Sequence, residues 1–175
     1  MLGSPPQVTA RFSVRTERDH FVVEPDRVER DGTGIDGLYG RVSLAVSAGG
    51  TVFLEDDLTA LTANFCFQAP AQLSADQPFA AYINRYPGDV FMEAAGTGIR
   101  ISGNAVFGPD GRPGAELTAP GDPLITALLD CGRRALTFLH TTFDDDPTAA
   151  EALQALEGVS EECLATIEAA RRGPH

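Results

Sequence analysis

The sequence of 175 residues contains no lysine and no tryptophan, and it has only three cysteines and three histidines. Cys66, Cys131 and Cys163 lie far apart and form no CxxC pair, which argues against a disulfide framework and against a thiolate metal site. Each cysteine falls in a stretch that reads as helical, with apolar neighbours, so we expect buried, reduced thiols. Reduced thiols indicate a cytoplasmic protein, and the sequence predicts neither a metal ion nor a cofactor.

Long hydrophobic runs are also missing. No apolar run approaches the roughly 20 residues that cross a bilayer. Residues 1–6 have neither the basic region nor the apolar core of a signal peptide. We therefore expect a protein that neither binds nor crosses a membrane.

Motifs of known catalytic sites are absent as well. The serines lack a GxSxG elbow, and the fragments 32–34 and 96–98 lack GxGxxG spacing, so we interpret both fragments as hairpin turns. Cys131 and His140 stand nine residues apart on one predicted helix, too far for a nucleophile and its base. A pair of acids could still catalyse glycoside hydrolysis, because only the fold decides how far apart two carboxylates lie. No catalytic residue is predicted, and the sequence favours a non-enzymatic protein.

Positive charge is scarce. Asp and Glu number 25 against 13 arginines, which gives a formal net charge of -12. Such a surface repels phosphate backbones and attracts cationic surfaces. We predict a basic protein as partner and no binding of nucleic acid.

Alternating apolar and polar residues predict half-buried strands in several segments. Residues 8–14 alternate first, and a short apolar segment at 20–23 extends or pairs with them. Residues 39–47 alternate again, and Gly49-Gly50 supplies a hairpin turn to a partner strand at 51–54. Further strands are predicted at 79–86, 90–94, 99–102 and 115–119. The strand at 99–102 either ends there or continues to 107 past a bend at Gly103.

Helical periodicity appears in three regions. A helix capped by Asp56 or Asp57 is predicted to end at Pro70. A long amphipathic helix is predicted over 123–143, where Gly132 either allows close approach to the sheet or marks a break. Two short helices follow, at 147–156 and 161–172, separated by Gly158.

This order of elements predicts the α+β class. We expect one antiparallel sheet of about six strands, with the long helix packed on it and a C-terminal helical pair. Residues 1–175 are predicted to form a single domain, in which 144–175 is a helical annex.

Acidic residues outside the apolar faces are the predicted contacts to a partner. Consecutive carboxylates splay apart and do not converge on a cation as the acids of a calcium loop do, so we interpret the clusters as solubilising, capping or partner-binding groups. The predicted partner-binding residues are Glu55, Asp56, Asp57, Glu93, Asp144, Asp145 and Asp146.

The order of elements between residues 38 and 143 resembles that of a known group. The segment 39–46, its hairpin return at 53–56, the later segments 82–86, 90–93 and 98–102, and the helix 123–143 are similar to small bacterial immunity proteins of polymorphic toxin systems. This resemblance implies a cytoplasmic, acidic, non-catalytic protein that binds one cognate toxin domain tightly.

Two other functions stay open at this point. One is a small enzyme or ligand-binding domain whose pocket lies between sheet and helix. The other is a structural subunit that exposes a large apolar patch on its last two helices. The residues predicted to line the pocket are Phe79, Tyr82, Tyr86, Phe91 and His20.

Overall fold

The computed structural model of the chain describes residues 4–16, 20–30 and 32–174. Within them the α+β class and the antiparallel pairing are confirmed, but a single sheet of about six strands is wrong. Eight strands form two four-stranded sheets, in the orders β2-β1-β3-β4 and β5-β6-β7-β8. The strands are β1 Val8–Arg15, β2 Phe21–Val23, β3 Tyr39–Val46, β4 Gly50–Asp57, β5 Phe79–Ile83, β6 Gly88–Ala95, β7 Gly98–Ser102 and β8 Leu117–Pro120.

The two sheets meet where a loop residue pairs with the edge of β4. Phe53 donates its backbone N–H to the Phe107 carbonyl at 2.8 Å, and Phe107 donates back to Phe53 at 3.0 Å. Strand β7 ends at Ser102 and does not continue to Phe107, because the chain turns at Gly103. That glycine has a φ of +128°, and a Cβ there would lie 2.1 Å from the Asp89 carbonyl oxygen. The turn brings Phe107 to β4, so the connection between β7 and β8 of the second sheet pairs with the edge strand of the first sheet.

A continuous helix follows β4 and does not end at Pro70. It consists of α1 Leu58–Leu61, a π-helical stretch Thr62–Gln68 and α2 Ala69–Ser74. Ala69 donates its N–H to the Asn64 carbonyl, five residues back. Pro70 follows this wide turn near the start of α2, where its missing N–H is tolerated, and the helix therefore continues.

The predicted cap of this helix is also wrong. Strand β4 continues to Asp57, and Asp57 at the N-cap position makes no side-chain hydrogen bond to the helix. Its carboxylate instead accepts from the Arg85 guanidinium. Asp56 accepts the Asp57 backbone N–H through its own side chain and lies buried on the helix side of β4.

Helix α3, Gly121–Thr142, is the predicted long amphipathic helix, and Gly132 does not break it. It packs on β1, where the Phe12 and Phe138 ring centroids lie 5.5 Å apart. It also packs on the 58–74 helix, since a Cβ at Gly132 would lie only 2.8 Å from Cys66 Cβ. Gly132 therefore allows close approach to a helix, and the expected approach to the sheet is wrong.

Helix α4, Ala150–Arg172, replaces the predicted C-terminal pair. Gly158 sits inside it with no atom within 4 Å of its absent Cβ, and an interior glycine costs a helix only about 1 kcal/mol. The buried residues recur at heptad spacing across that glycine, so a single apolar stripe continues along one straight helix. These residues are Leu153, Leu156, Ser160, Cys163 and Ile167.

The elements form three layers. The two sheets make the first layer, the 58–74 helix and α3 make the second, and α4 packs outside them. A main core cluster includes residues of both sheets, and a smaller one joins α4 to the 58–74 helix and α3. No described helix packs on the opposite face of the strands, which we call the helix-free face.

Candidate functional site

The seven predicted partner-binding acids lie in three places. Asp144, Asp145 and Asp146 lie in the connection between α3 and α4. Glu55, Asp56 and Asp57 end β4 at the junction of the two sheets, and Glu93 lies on β6. The structure therefore brings the predicted residues together only within the groups that adjoin in sequence.

The 144–146 group borders an open cleft of about 650 Å³ between the end of α3 and the start of α4. Glu157 of α4 adds a fourth carboxylate to the cleft, and His140 Nε2 lies 2.7 Å from Glu157 Oε1. The side chains of Asp144, Asp145 and Glu157 are 57%, 66% and 48% exposed. We call this feature the acidic cleft; sequence reasoning missed Glu157 and His140, whose meeting depends on how α3 and α4 pack.

Two arginines of the β2–β3 loop form ion pairs with the three aspartates of the acidic cleft. Arg27 lies 3.2 Å from Asp144, and Arg30 lies 2.7 Å from both Asp145 and Asp146. The Arg30 guanidinium also covers the Phe143 ring at 4.7 Å. Because an ionised carboxylate has about four acceptor positions, these acids keep capacity for further donors.

The Asp146 carboxylate is the best anchored of the four. The hydroxyl of Thr148 donates to it at 2.6 Å and the backbone N–H of Thr148 at 2.9 Å. These hydrogen bonds, reinforced by Arg30, lower the pKa of Asp146 below its ordinary value of 3.8. Asp146 therefore stays charged at the base of the cleft.

The hydrogen bond from Thr148 gives a testable pH effect. Because the pKa of Asp146 is lower in the folded chain than in the unfolded one, its contribution to stability is present above the unfolded pKa. That contribution is lost as the pH falls through the folded pKa. We predict that Thr148→Val raises the pKa of Asp146, measured by NMR titration of the carboxyl carbon. Thr166→Val is the control, since that hydroxyl donates to a backbone carbonyl; equal pKa values in wild type and Thr148→Val would contradict the prediction.

The acidic cleft lies on the more negative side of the molecule. Residues 121–174 contain ten acids and four arginines, a net charge of -6 and half of the total of -12. The acids of α4 point away from its buried stripe and lie exposed. This segment therefore carries half of the net negative charge of the chain, and Arg27 and Arg30 of the β2–β3 loop offset two of those charges at the acidic cleft.

Unlike the acids of the acidic cleft, Glu55 is nearly buried and is held by hydrogen bonds from Arg41 and Tyr39. Arg41 donates its Nε–H to Glu55 at 2.8 Å and makes a second, shorter contact through Nη2. The Tyr39 hydroxyl donates to the other carboxylate oxygen at 2.7 Å. Burial, and next this hydrogen bond to Glu55, raise the pKa of Tyr39 well above its ordinary value.

Arg41 belongs to a row of side chains across the helix-free face. Its guanidinium lies 4.0 Å from the ring centroids of both Phe21 and Phe53. Phe53 stacks on Phe107 at 5.4 Å, and Tyr86 meets Phe107 edge-on at 5.7 Å. We call these five residues the aromatic–arginine row. Sequence reasoning missed it, although the outward positions of β3 and β4 include an aromatic residue next to a charged one, Tyr39 with Arg41 and Phe53 with Glu55.

Two further predicted acids, Asp57 and Glu93, form ion pairs with arginines on the helix-free face. Asp57 accepts from Arg85 at 2.7 Å, and Glu93 pairs with Arg100 across β6 and β7. Neither pair borders the acidic cleft. Charge on the helix-free face is therefore balanced by arginines of the same chain.

The residues predicted to line a pocket between sheet and helix lie on different faces of the sheets, and His20 is exposed just before β2. Phe79 is buried on the helix side, where it packs against Phe65 at 5.6 Å. Tyr82 and Phe91 point to the helix-free face, and Tyr86 joins the aromatic–arginine row. A separate cleft of about 400 Å³, between the 95–98 turn and the start of α3, is lined by no histidine, cysteine or tyrosine.

The cysteines are buried, as predicted. Cys66 and Cys131 interact, and this contact together with burial raises the pKa of the Cys66 thiol. Burial, and next Glu162, raise the pKa of the Cys163 thiol. Raised pKa values keep both thiols protonated and weakly nucleophilic.

Among the residues that the structure describes, no group of three or more His, Cys, Asp and Glu side chains could hold a metal ion. No helix in these ranges has the length and apolar character of a membrane span.

Comparison of the chain with protein-family models, with curated proteins and with solved structures gave no match. The resemblance to immunity proteins therefore stays a prediction from the order of elements.

Proposed function

We propose that this protein is a non-enzymatic binding protein whose acidic cleft receives a basic side chain of a protein partner. The observation that carries this proposal is the grouping of four carboxylates around one open cleft, where the two arginines that pair with them, Arg27 and Arg30, leave a net charge of -2. Three of the four, Asp144, Asp145 and Asp146, are residues that the sequence singled out.

The arrangement suits a guanidinium or ammonium group. Arg27 and Arg30 hold the connection between α3 and α4 in place, so little entropy is lost when a partner binds. Glu157 faces the same cleft from α4 and pairs with His140 rather than with an arginine. The surrounding negative field speeds encounter with a cationic surface and makes the association sensitive to salt.

The resemblance to immunity proteins adds a class of partner, a toxin domain whose active site this chain would cover. Occlusion requires only a tight complex and no chemistry from this chain. On this proposal the partner harms cells when produced alone and is harmless when this chain is produced with it.

Affinity purification from the native host tests the function. We predict that the wild-type chain recovers one basic protein in stoichiometric amount, and that the triple variant Asp144→Asn, Asp145→Asn, Glu157→Gln recovers much less. Asp146 is left intact because it anchors Thr148 and Arg30.

The matched control removes three exposed charges elsewhere, with Asp36→Asn, Asp76→Asn and Asp110→Asn. This control should recover as much partner as wild type, and thermal unfolding should show that both triple variants fold. Equal recovery by the cleft variant and wild type, or no stoichiometric partner with wild type, would overturn the proposal.

A further inference from the structure

The helix-free face is the aromatic side of the molecule. All three tyrosines, Tyr39, Tyr82 and Tyr86, lie on it, together with Phe21, Phe53, Phe91 and Phe107. Tyr82, Tyr86 and Phe91 are 56%, 50% and 43% exposed. Tyrosine, phenylalanine and arginine are the side chains enriched at protein interfaces, so this face has the composition of one.

Positive and negative charges balance among the described residues of this face, although the chain as a whole is strongly acidic. Five described arginines stand beside five acids, and three of these arginines pair directly with an acid, as Arg41 does with Glu55. The arginines are Arg11, Arg15, Arg41, Arg85 and Arg100, and the acids are Glu55, Asp57, Asp89, Glu93 and Glu116. The cationic partner of the acidic cleft therefore gains no charge complementarity here.

The helix-free face is also poorly suited to binding nucleic-acid bases by stacking. Phe53 has Arg41 on one side of its ring and Phe107 stacked on the other, at an interplanar angle of 14°. Nucleic-acid platforms need open ring faces on which bases stack. In the aromatic–arginine row, the central Phe53 and Phe107 rings are in contact with other side chains of the same row.

We propose that the helix-free face docks a second copy of this chain, forming a symmetric dimer. A two-fold interface brings the same patch of two copies together, and a patch whose arginines and acids already balance within one copy meets its own copy without net repulsion, with the exposed aromatic rings as contact area. Each copy carries a net charge of -12, and most of its surface repels another copy. Docking through the neutral face places the two acidic helical sides at opposite ends, where their repulsion is weakest.

Sedimentation velocity of the purified chain tests this proposal without any other molecule. We expect the weight-average mass to rise from 18.5 kDa toward twice that value as the concentration increases from about 1 to about 100 μM. Added salt should strengthen the association, because it screens the repulsion between two acidic chains. This response is opposite in sign to that expected for a partner in the acidic cleft.

Phe91→Asp is the decisive variant, because Phe91 is 43% exposed and its loss should leave the fold intact. A carboxylate there should weaken the dimer at least about tenfold, through lost contact area and repulsion between the copies. Ala155→Asp adds the same charge at an exposed position of α4 and should leave the dimer unchanged.

A second measurement does not depend on any variant. Hydroxyl-radical footprinting of wild type should show less oxidation of Tyr82 and Tyr86 at high concentration than at low. An 18.5 kDa species at every concentration, or a dimer that Phe91→Asp leaves intact with unchanged footprints, would overturn the proposal. These outcomes are separate from those of the affinity purification, which reports on the acidic cleft.

Discussion

Arg41→Ala is expected to lower the free energy of unfolding by about 3–5 kcal/mol, because it leaves a nearly buried carboxylate without its cation. The Glu55 side chain is only 9% exposed, and Arg41 supplies both of its charged hydrogen bonds. Arg41 also packs between the Phe21 and Phe53 rings, so its removal opens a gap in the aromatic–arginine row. Urea unfolding followed by circular dichroism measures the change.

Two control variants separate the effect of leaving the Glu55 carboxylate without its cation from the effect of losing the packing of the Arg41 side chain. Arg41→Leu combined with Glu55→Leu removes both charges, and we expect this double variant to be more stable than Arg41→Ala. Arg100→Ala breaks a pair whose partners are 45% and 43% exposed, and should leave unfolding nearly unchanged. If Arg41→Ala were as stable as wild type, the assignment of Glu55 as a buried charge that depends on Arg41 would be wrong.

Gly132→Val is expected to lower the free energy of unfolding by about 2–3 kcal/mol, through overpacking between two helices. A Cβ at this position would lie 2.8 Å from Cys66 Cβ and 2.9 Å from Phe67 Cζ, atoms that the buried core holds in place. The added side chain can only fit if α3 moves away from the 58–74 helix. The change should appear in the same urea measurement.

Gly158→Ala is the matched control, since it lies inside α4 with open space around its absent Cβ. Alanine favours a helix interior over glycine by about 1 kcal/mol, so this variant should stabilise the protein. Gly132→Val should therefore lower the free energy of unfolding, whereas Gly158→Ala should raise it. Destabilisation by Gly158→Ala, or none by Gly132→Val, would contradict the packing described for these helices.

The spacing of apolar residues predicted individual strands and helices better than it predicted how these elements pair and pack. Strand β1 and helix α3 follow directly from residue spacing, because each buries one face whatever its neighbours are. The division into two sheets depends on which edges pair, and the turn at Gly103 that brings Phe107 to β4 has no signal in the spacing of apolar residues. Pro70 and Gly158 misled the prediction, because both are breakers that the surrounding turns and contacts tolerate.

The candidate site was predicted only in part, for a related reason. Runs of adjacent carboxylates are visible in any sequence, and Asp144, Asp145 and Asp146 do border the acidic cleft. Their arginine partners come from a loop more than a hundred residues earlier, and Glu157 comes from the following helix. Such meetings are products of tertiary packing, which composition and spacing do not encode locally.

The salt dependence of binding tests the central claim most directly. The protein recovered from the native host would be titrated with the wild-type chain across a range of sodium chloride concentrations. The account predicts that affinity falls steadily as salt rises, and that the triple variant of the acidic cleft binds more weakly with a shallower dependence on salt. An affinity that is flat or rises with salt, or that is the same for the triple variant, would contradict the claim that the acidic cleft holds a basic partner.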